Sequence, residues 1–260
     1  MPWSEILMLA VLPAFLLLDF FNTKPGGTRT RWWRTRALLV TAINFALALM
    51  VGKAWASWMG GIHVLNGAAL GTVGGAATGV LVYEFFHYWY HRTAHRFDWL
   101  WRLGHQMHHS AETLDPWGAY YLHPIDAVLF TTLSNLVLFP LLGLTPEAGG
   151  WAAAALTFLA IFEHASMRTP RWLGYFIQRP ESHAIHHQRG VHAFNYADLP
   201  LWDMLFGTFR NPAEFMPEAG FWDGASAQVG AMLFGRDVGT PPVAPLRHPP
   251  EASFTTATEA

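Results

Sequence analysis

Apolar runs separated by short polar segments fill the first two thirds of the chain and predict membrane helices. Three runs approach membrane-spanning length, at residues 6–21, 37–51 and about 64–86. Two shorter runs, 127–142 and about 152–162, flank a segment rich in glycine and proline and predict a helical hairpin. Because a helix rises about 1.5 Å per residue, runs of about 16 and 11 residues fall short of a hydrocarbon core of roughly 30 Å. The pattern therefore predicts four or five crossings.

Single residues within these runs refine the prediction. Glu5 and Asp19 lie at the two ends of the first run and no basic segment precedes it, so we expect a retained anchor helix, not a cleaved signal peptide. In the third run Gly71, Gly75 and Gly79 recur every four residues, a spacing that lets membrane helices pack closely. The last twenty residues are rich in Pro, Ala and Thr without periodicity, and we expect them to be disordered.

Composition supports a membrane protein. Apolar residues make up 52% of the chain and charged residues only 13%, about half the share that is usual in soluble domains. We therefore predict an all-α integral membrane bundle. A net charge of -2 gives no basic field, so nothing indicates nucleic-acid binding. The absence of cysteine excludes disulfides, thiolate zinc sites and an internal iron–sulfur cluster.

The distribution of lysine and arginine predicts the orientation of the bundle. The runs at 37–51 and about 64–86 form one helical pair, and the runs at 127–142 and about 152–162 form another. If both pairs cross the membrane away from the side that holds residues 22–36, only Lys53 lies on the far side. The other 15 of the 16 basic residues then share the side of this basic loop, which the positive-inside tendency assigns to the cytoplasm. The same threading places the histidine clusters on the cytoplasmic side, in a histidine-rich helical cap at the ends of the helices.

The 14 histidines are clustered along the chain, and their spacing indicates a metal site. Four groups stand out: His87, His91 and His95; His105, His108 and His109; His164 alone; and His183, His186 and His187. Two of these groups share the pattern H-x-x-H-H. Because positions i, i+3 and i+4 of a helix point within about 60° of one another, each pattern presents three imidazoles to one place.

The number of histidines indicates how many metals the site holds. Imidazole suits iron, zinc, copper and nickel. A tetrahedral metal uses three or four protein ligands, so eight or nine convergent histidines favour two metals, each with an open position for oxygen or substrate. These residues do not choose the metal, but the nonpolar setting favours oxidation. Two irons can activate O2, whereas two zincs cannot.

Several stretches around the histidines carry a further signal. The first two are EFFHYWYHRTAH at residues 84–95 and LWRLGHQMHHS at residues 100–110. The distal part has HAIHH at residues 183–187, then NY at residues 195–196 and LWDMLFGTF at residues 201–209. In order and spacing, these stretches resemble the histidine boxes and closing signature of the fatty acid hydroxylase and sterol desaturase superfamily.

The resemblance covers about residues 80–210 and divides the chain into three parts. The segment YLHPID at residues 121–126 is similar to the R-x-H-P-x-E stretch of bacterial members. We expect N-terminal membrane helices over residues 1–63, a fatty acid hydroxylase-like catalytic domain over residues 64–210, and a partly disordered C-terminal extension over residues 211–260.

The resemblance implies a membrane di-iron enzyme that uses O2 and two external electrons to hydroxylate or desaturate a lipid. Carried over position by position, it implies these metal ligands: His91, His95, His105, His108, His109, His164, His183, His186 and His187. Two positions depart from the family, since Glu84 stands where many members carry Asp and His87 where others carry an aromatic residue. With no cysteine and no dinucleotide fingerprint, the chain needs a separate electron donor, of the ferredoxin or cytochrome type with its reductase.

Other polar residues near the boxes have open roles. His87 is one turn from His91 and can bind metal or substrate, or support that ligand. His123 precedes Pro124 and can shape a turn, position substrate or reach the metals. His63 and His192 are expected to be structural. Side chains that can accept the second N–H of a ligand, cap a helix or pair with arginine are Glu84, Asp126, Glu163, Asn195 and Asp203.

Alternative functions remain open from the sequence. The same cage can serve cleavage of an ether lipid or loss of an aldehyde carbon. A membrane metal transporter would need ligands near the middle of the membrane, whereas these cluster beyond the helix ends. A family member without activity, serving as a binding subunit, would retain metal without consuming O2. The sequence does not specify the lipid, the regiochemistry, the choice between hydroxylation and desaturation, or the oligomeric state.

Overall fold

The computed structural model describes residues 1–21 and 29–241, which form helices and loops without a β-strand. The α-helices in these ranges are α1 (Trp3–Phe21), α2 (Trp33–Met59), α3 (Gly71–Arg96), α4 (Asp98–Leu100), α5 (Gln106–His109), α6 (Pro124–Leu136), α7 (Pro146–Phe162), α8 (Pro180–His186), α9 (Pro200–Phe206) and α10 (Val229–Leu233). Short 3-10 helices lie at Gly67–Leu70, Arg171–Tyr175 and Ala225–Ala227. Turns of π-helix lie at Trp101–His105 and Val137–Leu141. The expected disorder of the last twenty residues concerns a segment that, apart from residue 241, lies outside the described residues, as do residues 22–28 of the basic loop.

Four helical segments in the described ranges are long and apolar enough to cross a membrane: Trp3–Phe21, Trp33–Met59, Gly67–Arg96 and Pro124–Leu141. Helix α7 is also apolar but has only 17 residues. Large apolar side chains point outward from these helices, as Leu39 (62% exposed) and Val73 (83% exposed) illustrate. The predicted all-α membrane bundle is confirmed. The side of the membrane on which the histidines lie stays a prediction.

Two membrane helices extend well beyond the apolar runs that predicted them. Helix α2 starts four residues before the run at 37–51 and continues to Met59, and α3 continues to Arg96. Backbone hydrogen bonding carries a helix past the apolar stretch until a residue or a turn ends it, so hydropathy alone underestimates helix length. The extension matters for α3, because its last turns carry His91 and His95.

Small residues let α3 and α7 approach closely. A Cβ atom added at Gly75 would lie 3.0 Å from the Cβ of Ala148, and one at Gly79 would lie 3.1 Å from the Cβ of Ala152. The predicted close-packing face is therefore present at these two glycines. Gly71 was expected on the same face but is not part of it. It starts the helix with φ of 65°, and no other group lies within 4 Å of its missing Cβ.

A large side chain at Gly79 should separate these helices. We expect Gly79→Leu to lower the free energy of unfolding by about 1–3 kcal/mol, because a Cβ atom there already lies 2.9 Å from the side chains of Leu138 and Leu144. Thermal unfolding in detergent measures the effect. The matched control is Gly74→Leu, since the nearest group to a Cβ at Gly74 is 3.4 Å away. Equal stability of the two variants would contradict the prediction.

Side-chain contacts hold the segment that follows α5, next to the histidines, against the end of helix α1. The guanidinium of Arg29 donates to Asp19 at the end of α1 (2.8 Å) and to Asp115 (2.9 Å). The carboxylate of Glu112 accepts the backbone N–H groups of Gly224 and Ser226, each at 3.0 Å. Residues after position 211 therefore pack, as far as they are described, against the segment that follows α5.

Candidate metal centre

Four segments bring histidines to one end of the bundle. The last turns of α3 carry His91 and His95, and the π-turn and α5 that follow carry the first H-x-x-H-H pattern. His164 lies just after α7, and α8 with its C-terminal cap carries the second pattern. Each pattern lies on a single helical stretch, as the spacing predicted. A π-turn widens the helix locally and is frequent at functional sites.

The structure divides these histidines into two groups. In each group the candidate ligand nitrogens lie within 4.8 Å of one another. The first histidine group contains His91, His95, His105, His109 and His186. The second histidine group contains His108, His164, His183 and His187. Each H-x-x-H-H pattern contributes to both groups, so the two sites share the same helical stretches.

In the first histidine group, backbone carbonyls orient two of the imidazoles. Nδ1 of His91 donates to the carbonyl of Tyr196 (2.7 Å), and Nδ1 of His186 donates to the carbonyl of Phe194 (2.7 Å). A carbonyl only accepts, so the proton is on Nδ1 and the lone pair is on Nε2. The Nε2 atoms of all five members are buried without a hydrogen-bond partner. This is the arrangement of an imidazole prepared for a metal.

In the second histidine group, the Nε2 atoms lie close together. The Nε2 of His164 is 3.2 Å from that of His108 and 3.2 Å from that of His183, and the Nε2 atoms of His183 and His187 are 3.0 Å apart. Nδ1 of His164 donates to the carbonyl of Ala160 (2.8 Å), which leaves its Nε2 without a proton. Nitrogens bound to one metal at about 2.0–2.1 Å are about 3.0–3.4 Å apart. The observed spacing matches that of ligands sharing an ion.

Burial favours the neutral form of six of these imidazoles. It lowers the pKa of His164 to about 4, and it lowers the pKa of other members well below the ordinary value, with neighbouring histidines acting in the same direction: His108, His109, His183, His186 and His187. Neutral imidazole is the form that binds metal. An unpaired buried nitrogen costs about 1–3 kcal/mol, and ligation would remove that cost. The two groups therefore fit two metal ions.

Of the polar residues that the sequence singled out beside the boxes, Asp126 and Glu163 directly contact box histidines. Oδ2 of Asp126 lies 2.8 Å from Nδ1 of His105, and its Oδ1 accepts the hydroxyl of Tyr90. Oε1 of Glu163 lies 3.3 Å from Nε2 of His183, on the side that faces the second histidine group. Each carboxylate therefore belongs to the immediate surroundings of one group.

Asn195 and Asp203 instead shape the loop that carries the acceptor carbonyls. Asp203 accepts the backbone N–H of Tyr196 (2.8 Å) and of Ala197 (2.9 Å), while Asn195 donates to the carbonyl of Ser182 (2.8 Å). Phe194 and Asn195 have φ of 71° and 49°, a left-handed conformation that is uncommon for a bulky residue such as Phe, whereas Asn adopts it more readily. These contacts hold the strained loop so that its carbonyls reach the histidines.

Three other histidines occupy different positions. Nδ1 of His123 accepts the backbone N–H of Ile125 (3.1 Å) at the start of α6, and the residue belongs to neither histidine group. His87 also lies outside both groups, stacked on His91 with ring centroids 5.5 Å apart. His192, which the sequence suggests to be structural, lies beside the first histidine group, since its Nδ1 is 3.1 Å from Nδ1 of His109. No periodic spacing links these two residues, so no local signal could have found the contact.

Comparisons with known proteins agree with this geometry. The fatty acid hydroxylase family model matches residues 76–208, which are 133 of the 260 residues. The chain is 26% identical over 136 residues to sphinganine C4-monooxygenase 1 of Arabidopsis thaliana, covering 51% of this chain and 52% of that protein. It is 34% identical over 139 residues to ornithine lipid hydroxylase OlsE of Rhizobium tropici (52% and 41% covered). It is 30% identical over 150 residues to Delta(7)-sterol-C5(6)-desaturase of Nicotiana tabacum (54% and 51% covered).

The chain thus spans about half the length of the curated relatives it matches. No solved structure matches it. The residues matched by the family model include every member of the two histidine groups. On this evidence the chain belongs to the fatty acid hydroxylase family.

Proposed function

We propose that the protein is a membrane-bound di-iron oxygenase that hydroxylates or desaturates a lipid with O2 and externally supplied electrons. The observation that carries the proposal is the pair of adjacent histidine groups, whose unpartnered or clustered Nε2 atoms face one another at the end of an apolar helical bundle. The relatives support it through their names, which describe action on sphinganine, an ornithine lipid and a sterol.

The eight box histidines and His164 would hold the two metals. The first histidine group offers five Nε2 atoms to one ion, and the second histidine group offers four nitrogens to the other. Two bound irons would supply the redox chemistry that activates O2 toward a C–H bond. Iron is proposed over zinc because zinc cannot change its oxidation state.

The chain's own residues would orient the metal ligands, exclude water and line the path of the lipid. Asp126 and the carbonyls of Phe194 and Tyr196 hold imidazole N–H groups, so the ligands keep their orientation when the metals change charge. The buried walls of the site exclude water, so that side reactions do not compete with oxidation of the C–H bond. Phe130, whose ring lies 5.3 Å from that of His87 and 6.3 Å from that of His105, marks the apolar side where an acyl or sterol chain would approach from the bilayer.

Electrons come, in this proposal, from a separate protein of the ferredoxin or cytochrome type with its reductase. The chain has no cysteine to bind an iron–sulfur cluster and no dinucleotide fingerprint. The donor would dock on the cytoplasmic side, which is the side that the lysine and arginine distribution favours for the histidines.

No observation favours the metal transporter. His91 and His95 lie at the end of α3, and the other box histidines lie outside the four candidate membrane spans. A transport path would need ligands distributed across the membrane. Cleavage of an ether lipid or loss of an aldehyde carbon is an alternative outcome of the same site chemistry, and product analysis separates it from hydroxylation and desaturation.

The proposal is tested by metal analysis and lipid analysis of the same protein. We expect the histidine groups of the full chain, purified in detergent from iron-supplemented cells, to hold about two irons. Membranes that contain it, supplied with reductant and an electron-donor system, should accumulate a lipid that gains one oxygen atom from 18O2 or loses two hydrogen atoms. A well-folded preparation without iron would refute the metal assignment. Iron without any O2-dependent lipid change would identify a binding subunit and refute the enzymatic proposal.

A further inference from the structure

A third buried cluster of ionisable groups lies beside the two histidine groups but shares no residue with them. It consists of Glu84 and His87 on α3 and Asp198 on the loop before α9, and their candidate ligand atoms lie within 4.8 Å of one another. The three residues are only 0%, 8% and 5% exposed, respectively. We refer to them as the Glu84–His87–Asp198 triad. The two carboxylates and the imidazole are therefore held together away from water.

The side chain of His87 lies farther from the two carboxylates than an ordinary hydrogen bond. Nδ1 of His87 lies 3.5 Å from Oε2 of Glu84 and 3.6 Å from Oδ1 of Asp198, whereas N–H···O bonds are about 2.7–3.2 Å long. Nδ1 of His87 and Oε1 of Glu84 are both buried without a hydrogen-bond partner. Ligands bound to one cation at about 2.0–2.2 Å are separated by about 3.0–3.6 Å. The two distances from Nδ1 of His87 match the spacing of ligands around an ion.

The charges around the triad also suit a cation. Among the described residues, neither lysine nor arginine forms an ion pair with Glu84 or Asp198, and His87 is the basic group beside them. A divalent cation with a neutral imidazole would balance both carboxylates.

We propose that the Glu84–His87–Asp198 triad binds a third divalent cation, separate from the two ions of the histidine groups. Mixed carboxylate and imidazole ligands suit zinc, manganese or iron(II). The ion would join α3 to the loop that provides the carbonyls of Phe194 and Tyr196, and so fix the acceptors that orient His186 and His91. Its role is to position these ligands, not to react with O2. The inference does not depend on the proposed lipid oxidation.

The test is a count of metal ions per chain. The full-length protein in detergent is equilibrated with Fe2+, Zn2+ or Mn2+, each alone, freed of excess metal and analysed by elemental mass spectrometry. With the metal that fills every site, we expect about three ions per chain in the wild type and about two in His87→Phe and in Asp198→Asn. Matched controls are His63→Phe, which removes an exposed histidine, and Asp98→Asn, which removes an exposed carboxylate. Both controls should keep the wild-type count.

The outcomes separate this proposal from the proposed function. A wild-type count of two that is unchanged in the triad variants would overturn the third site and leave His87 as an ion-pair partner. A count of about one, lost in the triad variants but kept in His186→Ala and His108→Ala, would support the triad and refute the di-metal centre. If a triad variant does not fold, as judged by gel filtration, the third site is tested by comparing the wild type with the double variant His108→Ala/His186→Ala. Residual binding of one ion by the double variant supports the triad, and its absence contradicts it.

Discussion

Alanine at His186 and alanine at His108 should each abolish lipid oxidation, with different losses of metal. His186 belongs to the first histidine group and His108 to the second, so each variant removes a ligand from one of the two proposed ions. Because both ions are needed to handle O2, we expect activity to fall more than about 100-fold in either variant. Elemental analysis should show a loss of about one of the two box ions in each variant, and mass spectrometry of the lipid product should show the loss of activity.

The control for these variants is His63→Ala, since His63 is exposed and belongs to neither group. It should keep both the metal content and the activity of the wild type. Full activity in His186→Ala or in His108→Ala would contradict the assignment of that residue as a ligand. Loss of both ions in each variant would contradict the division into two separable sites.

Removal of the Asp126 carboxylate should give the next largest effect. Asp126 holds His105 through an Nδ1–Oδ2 contact of 2.8 Å and also accepts the hydroxyl of Tyr90. Loss of such an acceptor frees the imidazole to rotate and typically costs 10–100-fold in metal affinity or activity. We expect Asp126→Ala to lose activity about 10–100-fold and to release metal faster to a chelator. Asp126→Asn should show a smaller loss, because the amide oxygen can still accept from His105.

A merely structural role of Asp126 would give a different result. If it served only to hold α6 in place, the alanine variant would lose thermal stability without faster metal release from the folded fraction, and asparagine would not restore metal retention. Asp98→Asn is the matched control, since this carboxylate is 71% exposed and pairs with Arg102 at 2.9 Å. It should behave as the wild type in both measurements.

The membrane helices and the histidine patterns were predictable because both depend on local properties of the chain. An apolar run of sufficient length specifies a membrane helix, and H-x-x-H-H places three imidazoles on one helical face wherever that helix lies. The helix bounds were less predictable, as the extension of α3 to Arg96 shows, because hydropathy does not record where backbone hydrogen bonding stops. The close-packing face was predicted at Gly75 and Gly79 but wrongly at Gly71, whose positive φ serves the start of the helix.

The acceptors of the imidazole N–H groups could not be predicted from the sequence. The carbonyls of Phe194 and Tyr196 are backbone atoms, so residue types carry no information about them. Their positions depend on a loop with left-handed residues that Asp203 holds from outside the site. Asp198 was not predicted either, since it enters the triad only because that loop folds back onto α3.

The all-α membrane bundle and the placing of three histidines on one helical face by each H-x-x-H-H pattern follow from the amino-acid sequence alone. Apolar length and helical periodicity act over a few residues, so these features are present in any fold the chain adopts. Three other features come from the tertiary fold: the division of the imidazoles into two groups, the separation of His105 and His109 from His108, and the approach of Asp198 to Glu84 and His87. Each of these features depends on contacts between segments that are far apart in the chain. Such contacts are specified by the packing of helices and loops and not by local sequence.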